Sequence, residues 1–92
     1  MSLAPDTDIE AFLDRRPDWS RDSGEISRTY GFADFSEAMG FVTRVALAAE
    51  KANHHPDIGI SWNQVTLTLS THSEGGLTNK DLELAAACDA LA

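Results

Sequence analysis

The sequence is poor in positive charge. Its 92 residues include 7 lysines and arginines against 15 aspartates and glutamates, a formal net charge of -8 at pH 7. Nucleic acids and anionic lipid surfaces attract basic protein faces, so this balance argues against both kinds of partner. The only local basic density, the four arginines between Arg15 and Arg28, is interleaved with aspartates. We therefore expect no nucleic-acid partner and no membrane partner.

The sequence also has little cysteine and no long apolar run. Its one cysteine, Cys88, cannot form an intrachain disulfide, and its alanine-rich surroundings favour a small buried hydrophobe over a nucleophile. No segment has the apolar length needed to span a bilayer. Met1 to Glu10 lacks the basic residues and the apolar run of a secretory signal. Together these features predict a cytoplasmic protein.

Length and composition predict one folded domain over residues 1–92. Hydrophobic residues make up 42% of the chain and charged residues 24%, which is ordinary for a globular protein. A chain of this length buries only a modest core, so association of copies would add useful stability.

Three segments have the apolar spacing of amphipathic helices. Their predicted ranges are Asp8 to Arg15, Asp34 to about Asn53, and a last helix that starts at Thr78. The pairs Asp34 with Glu37 and Thr78 with Asp81 resemble capping boxes, and Pro56 is expected to end the second helix. The apolar side of the last helix is predicted to include Leu82, Ala85, Ala86 and Leu91.

Four segments have the alternation of strands. They are Trp19 to Asp22, Glu25 to Phe32, a strand with Ile58, Ile60 and Trp62 on alternate positions, and a strand with Val65, Leu67 and Leu69. Turns are predicted at Ser23-Gly24 and Asn63-Gln64, and Trp62 is expected in the core. The order α-β-β-α-β-β-α predicts an α+β fold with helices on one face of an antiparallel sheet.

The three histidines of the chain lie at the ends of predicted elements. His54 and His55 precede Pro56 at the end of a helix, and His72 ends the fourth strand. Histidine titrates near neutrality, which suits proton transfer, and a helix C-terminus favours the imidazolium form. If the third and fourth strands form a hairpin, the start of one lies beside the end of the other. We therefore expect all three histidines to converge at one end of the sheet.

Other chemistry is disfavoured by the residues. Taken singly, each histidine is more often structural or exposed than catalytic, and only the expected convergence favours a site. A three-histidine zinc site is disfavoured because two of the histidines are sequence neighbours and no cysteine or His-Glu-x-x-His spacing assists. No serine or cysteine lies in a nucleophile elbow, and Gly75-Gly76 lacks the rest of a phosphate loop. Asp81 can be a site acid or only a capping residue.

An ordered set of motifs runs from about residue 19 to the end of the chain. Its members are Phe32-x-x-Phe35, the segment Phe41 to Ala46, Glu50-x-x-x-His54-His55-Pro56, Trp62, Ser70-Thr71-His72, Gly76-Leu77-Thr78 and Asp81-Leu82. The set resembles the pterin-4a-carbinolamine dehydratase family, and its order is far more specific than any one motif. The resemblance implies a four-stranded antiparallel sheet with helices on one face. It also implies a homo-oligomer, a dimer or a tetramer, that associates through sheet and helix surfaces.

The resemblance implies dehydration of 4a-hydroxytetrahydropterin to quinonoid dihydropterin, which recycles the cofactor of aromatic amino acid hydroxylases. The pterin is then the substrate, a hydroxylase is the implied partner enzyme, and neither a metal nor a redox cofactor is needed. The family pattern implies that His54 and His72 are proton donors on either side of the pterin and that His55 positions it. The residues implied to bind the substrate or orient the histidines are Glu50, Asn53, Ser70, Thr71 and Asp81.

Three positions depart from the family pattern. Asn53 stands where many relatives have an acid, Ile58 where animal relatives have an aromatic residue, and Lys80 where an arginine is usual. Because the histidines are intact, we expect catalysis with altered substrate affinity. The alternative is a non-catalytic dimerisation or coactivator-type interaction protein, as animal relatives of this fold also serve as the dimerisation cofactor of a homeodomain transcription factor. The enzyme is the favoured hypothesis.

Overall fold

A computed structural model describes residues 2–92 as three helices packed on a four-stranded antiparallel sheet. The elements are α1 (Asp6–Arg15), β1 (Ser20–Asp22), β2 (Glu25–Gly31), α2 (Phe35–Ala52), β3 (Asp57–Ser61), β4 (Gln64–Leu69), a 3-10 turn (His72–Glu74) and α3 (Asn79–Leu91). The predicted fold class and element order are confirmed. Met1, which belongs to the predicted domain and to the N-terminal segment discussed above, lies outside the described residues.

The sheet has the strand order β1-β2-β4-β3, and its two faces differ in polarity. One face is buried beneath the helices and carries Ile26, Tyr30, Val65, Leu67 and Leu69. The other face carries serine and threonine, and the hydroxyls of Thr29 and Thr66 are 2.8 Å apart across the strands. This alternation confirms the strand predicted from Val65, Leu67 and Leu69.

The central helix α2 buries one stripe of small and large apolar residues against the sheet. The buried members are Ala38, Phe41, Val45 and Ala49. The Asp34 carboxylate accepts a hydrogen bond from the Glu37 amide at 2.8 Å, as the cap predicts. The Glu37 side chain reaches the amide of Ala33 rather than that of the cap. Within residues 2–92, neither this helix nor another has the length and hydropathy to cross a membrane.

Helix α1 begins two residues earlier than expected. Pro5 takes the cap position in an extended conformation, so the helix starts at Asp6 instead of Asp8. Ile9 and Phe12 are buried, as their spacing predicts.

The buried stripe of helix α3 extends beyond the residues predicted for it. Its buried residues are Asp81, Leu84, Ala85 and Cys88, whereas Leu82, Ala86 and Leu91 are only half-buried. The spacing i, i+3, i+4, i+7 from Asp81 is that of a helical stripe. The predicted burial of Ala85 is confirmed, and Leu82 and Leu91 pack against the edge of the core. The sequence interpretation missed Asp81 because it did not count a carboxylate among the buried positions. The predicted burial of Cys88 is confirmed.

The turn between β3 and β4 lies one residue earlier than predicted. Ser61 pairs with Gln64, so the two loop residues are Trp62 and Asn63. Trp62 has a φ of 51° and is 68% exposed, so its expected place in the core is wrong. The Asn63 amide donates to the carbonyl oxygen of Phe32 at 2.8 Å, which fixes the turn to the end of β2.

The edge strand β3 extends beyond the helices. Its apolar residues Ile58 and Ile60 face the same side as the core of β4 but remain 37% and 41% exposed. Their alternation was predicted correctly, yet no helix covers them.

A buried polar cluster fixes the end of α3 to the sheet. The Asp89 carboxylate accepts hydrogen bonds from the Trp19 indole, the Tyr30 hydroxyl and the guanidinium groups of Arg16 and Arg28. Burial, together with the hydrogen bond to Asp89, raises the pKa of Tyr30 well above its ordinary value. The sequence interpretation missed this cluster, whose members lie 59 to 73 residues from Asp89.

Candidate active site

His54 occupies the corner between α2 and β3. Asn53, the C-cap residue of α2, has left-handed backbone angles and turns the chain away from the helix axis. The His54 amide still donates to the carbonyl oxygen of Ala49 at 3.1 Å, which holds the residue against the helix end. Its side chain is only 12% exposed. The imidazole is therefore held in a fixed position at the negative end of a helix dipole.

The buried carboxylate of Asp81 holds the His54 ring. Nε2 of His54 lies 2.5 Å from Oδ1 of Asp81, whose side chain is fully buried. Oδ2 accepts hydrogen bonds from the Thr71 hydroxyl at 2.7 Å and the Thr78 amide at 2.9 Å. An ionised carboxylate only accepts, so Nε2 carries the proton in this contact and Nδ1 is left for exchange with a ligand. Asp81 is both the capping residue of α3 and the orienting group of His54.

Thr71 connects this carboxylate to the second histidine cluster. Its hydroxyl lies 2.8 Å from that of Thr78, and its amide donates to the carbonyl oxygen of Gly76 at 2.8 Å. His72 follows at once and begins the 3-10 turn with an exposed side chain. Among residues 2–92, no hydrogen bond to the His72 imidazole is found. Asp81 and Thr71 thus link a held histidine to one that is free to meet a ligand.

His55 forms a separate pair with Glu50. Nε2 of His55 contacts Oε2 of Glu50, and the two side chains are 56% and 76% exposed. An exposed pair of this kind contributes little to stability. Its contribution is to fix the direction of the His55 ring.

The three histidines lie at the same end of the sheet, where His72 and His54 line two cavities with the bonded pair Thr71 and Asp81 between them. His72 and Ser70 line a cavity of about 440 Å³ beside the β1–β2 turn. His54 lines a groove of about 550 Å³ between α2 and α3. The Ser70 hydroxyl donates to the Gly24 carbonyl oxygen at 2.8 Å, which joins the first cavity to that turn.

Two acids beside His72 were missed by the sequence interpretation. Asp22 and Glu25 flank the β1–β2 turn and line the His72 cavity. The pairing of Ile26 with Leu69 brings them to the end of β4. A prediction that β2 pairs with β4 would have found them, because this register follows from the two apolar alternations.

Asn53 has a conformational reason for its identity. With a φ of 50°, it is one of the few positions with left-handed backbone, which asparagine adopts more readily than other side chains. Its side chain is exposed. The predicted substrate contact of Asn53 stays a prediction.

Within the part of the chain that the structure describes, no group of three or more His, Cys, Asp or Glu side chains is arranged to hold a metal ion.

Comparisons with known proteins agree on one family. A family model described as pterin 4 alpha carbinolamine dehydratase matches residues 2–91. A Nocardia farcinica relative named as a pterin-4-alpha-carbinolamine dehydratase is 53% identical over 90 residues, covering 98% of this chain and 95% of the relative. A Chloroflexus aurantiacus relative of the same name is 52% identical over 89 residues, covering 97% and 96%. The crystal structure of a transcriptional coactivator/pterin dehydratase from Brucella melitensis has a TM-score of 0.93 and 35% identity over 99% of both chains.

Proposed function

Because this chain belongs to the pterin-4a-carbinolamine dehydratase family, we propose that it converts 4a-hydroxytetrahydropterin to quinonoid dihydropterin. The product returns to the cofactor cycle of an aromatic amino acid hydroxylase, in the cytoplasm. The observation that carries the proposal is the buried Asp81 carboxylate, which orients His54 on one oxygen and holds Thr71, next to His72, on the other.

The reaction needs proton transfer at two positions of the pterin. The C4a–O bond breaks as an acid protonates the hydroxyl, which leaves as water. The N5 lone pair forms the C4a=N5 double bond, and a base takes the N5 proton. Every step is a proton transfer or the cleavage of one C–O bond, so this scheme uses side chains alone, without a metal or a redox cofactor.

The arrangement of the histidines supports distinct roles. His54 donates to Asp81 through Nε2, and the carboxylate stabilises the imidazolium that an acid at the 4a-hydroxyl requires. The His72 imidazole, which has no hydrogen-bond partner among residues 2–92, exchanges the proton on the other side of the pterin ring. His55, held by Glu50, positions the substrate. Ser70 and Thr71, whose hydroxyls are bonded to Gly24 and Asp81, hold the segment that precedes His72 and would orient that histidine.

The test is the rate of quinonoid dihydropterin formation, followed by absorbance against the spontaneous reaction. We expect the wild-type protein to accelerate it, and His54→Gln and His72→Gln each to lose about 10²- to 10⁴-fold of that acceleration. Glutamine retains a polar group of similar length, so the fold should persist. A wild-type protein with no acceleration over the spontaneous rate would contradict the proposal.

We also propose that the protein is a homo-oligomer that associates through β3. This strand pairs with β4 on one side only; Ile58 and Ile60 expose apolar surface on it, and Trp62 does so in the turn that follows. An exposed apolar edge strand is a ready surface for pairing with another chain. Sedimentation should show an assembly that Ile60→Glu dissociates and Leu47→Glu, at an exposed position of α2, does not. Dissociation by Leu47→Glu alone would place the interface on the helix.

A further inference from the structure

The two lysines of this chain lie in the same groove. In a protein with a net charge of -8, Lys51 and Lys80 both line the space between α2 and α3 beside His54. Arg16, Arg21 and Arg28 form ion pairs with aspartates. Neither lysine has an acidic partner within the described residues 2–92. The two lysines therefore bring positive charge to this groove of an acidic protein.

Lys80 does not stabilise its own helix through the helix dipole. Lys80 is the second residue of α3, and the N-terminal turn of a helix disfavours a cation. Lys51, in the last turn of α2, is favourably placed by the same argument. The helix dipole thus accounts for Lys51 but not for Lys80, whose charge is better explained by an anion in the groove.

The groove has one polar end and one apolar end. The contact between His54 and Asp81 brings the end of α2 beside the start of α3, so both lysines and His54 share one end. From there the lining of α3 continues through Leu84 and Ala87 to Leu91. At a rise of 1.5 Å per residue, Leu91 lies about 16 Å along the helix from Lys80. A volume of about 550 Å³ is in the range of sites for small organic ligands.

We propose that this groove binds a small amphipathic organic carboxylate. The carboxylate lies between Lys51 and Lys80 beside His54, and the apolar body extends along Leu84, Ala87 and Leu91. Glu83 also lines the groove and opposes an anion there. The two ammonium groups attract the charge, and the apolar residues gain stability by excluding water from the body of the ligand. The groove shares His54 with the proposed dehydratase site, but binding is measured without a pterin, so a failure of this proposal is distinguishable from a failure of the dehydratase proposal.

The probe is 3-phenylpropionate, titrated calorimetrically into the full-length protein. Two matched probes separate its parts: 3-phenylpropan-1-ol has the apolar body without the charge, and inorganic phosphate has charge without the body. We expect saturable binding of 3-phenylpropionate, with both controls at least about tenfold weaker, and weaker binding as salt rises. Methyl NMR shifts should change at Ala87 and Leu91.

Variants of the groove should move the affinity in both directions. Lys51→Met and Lys80→Met should each weaken binding roughly two- to fivefold, as for partly exposed ion pairs. Glu83→Gln should tighten it by a similar factor. Arg15→Gln removes the same charge from the exposed side of α1 and should leave the affinity unchanged.

Several results would overturn the proposal. One is the absence of saturable binding to the wild-type protein. Another is equal affinity for the alcohol, because the lysines would then have no role. A third is equal weakening of binding by Arg15→Gln, because the net charge of the protein would then explain the effect of the lysine variants. If Lys80→Met does not fold, Lys51→Met and Glu83→Gln test the same groove from its two remaining charged positions.

Discussion

Replacement of Asp81 by asparagine exchanges one oxygen for an amide nitrogen at the centre of the site. The amide oxygen can remain with Thr71 and Thr78, which preserves the cap of α3. The amide nitrogen then faces Nε2 of His54. Because an amide nitrogen only donates, Nε2 must become an acceptor, and the His54 proton moves to Nδ1. The variant therefore keeps the fold and changes the tautomer of one histidine.

The structure sets the size of the two expected effects. The hydrogen bond between His54 and a charged carboxylate becomes one between neutral groups, so the free energy of unfolding should fall by about 1 kcal/mol. The neutral Nδ1–H imidazole is a far weaker acid than the imidazolium that Asp81 stabilises. Since a positioned acid contributes about 10²- to 10⁴-fold, kcat should fall at least about 100-fold.

Three measurements distinguish an effect of Asp81→Asn on the His54 ring from an effect on the stability of the fold. Absorbance of the quinonoid product gives kcat, urea denaturation gives the free energy of unfolding, and ¹⁵N NMR of the imidazole gives the tautomer. Asp89→Asn is the matched control, because Asp89 is also a largely buried carboxylate of α3, 11% exposed, and is bonded to no histidine. We expect Asp89→Asn to lose stability while its kcat and its His54 tautomer stay as in the wild type.

Two results would refute the reasoning. The first is a wild-type kcat for Asp81→Asn in conditions where His54→Gln is inactive. The second is a further loss of kcat when Asp81→Asn is added to His54→Gln, because a residue that acts through His54 has nothing left to remove in that background.

Three further predictions concern stability. Asp89→Asn should lower the free energy of unfolding by about 2 kcal/mol in urea denaturation, since Arg16 and Arg28 lose their shared partner; an unchanged midpoint would contradict this. Burial, and secondarily Asp89, raises the pKa of Cys88 from 9.0 to about 11, so stability is complete below pH 9 and falls as the pH rises towards 11, by on the order of 2 kcal/mol. Cys88→Ala should remove this slope between pH 9 and 10; an equal slope in both proteins would assign it elsewhere. Asn53→Gly keeps the left-handed cap, so its free energy of unfolding should stay within about 0.5 kcal/mol, and a raised KM would confirm the predicted pterin contact.

Local periodicity accounts for the parts of the fold that were predicted well. Helix α2 and the strand β4 each follow a single repeat, and both were found almost to the residue. The turn at Trp62 was not, because a tryptophan with positive φ contradicts turn propensity, and only the pairing of Ser61 with Gln64 determines it. The exposure of Ile60 depends on where the helices end above the sheet, which no local pattern encodes.

In the candidate site, too, local sequence signals predicted some features and missed those that depend on tertiary packing. The sequence predicted His54 and Asp81 as site residues, because the motif and the capping signal are local. Their contact spans 27 residues and forms only when α3 packs against the end of α2. The sequence left open whether Asp81 is a cap or a site acid, and its two oxygens take one role each. The acids beside His72 follow from strand order, and the groove beside His54 follows from the packing of α3 against α2. Local spacing determines neither.

The double use of Asp81 has a consequence for thermal inactivation. The oxygen that holds the first turn of α3 and the oxygen that holds the imidazole belong to one planar group, so a movement of Asp81 that breaks the cap also breaks the contact with His54. A heated sample should therefore lose turnover and helical circular dichroism along the same curve, without a temperature range in which the chain is folded but inactive. The residual activity of an aged preparation would then equal the fraction of molecules that are still folded.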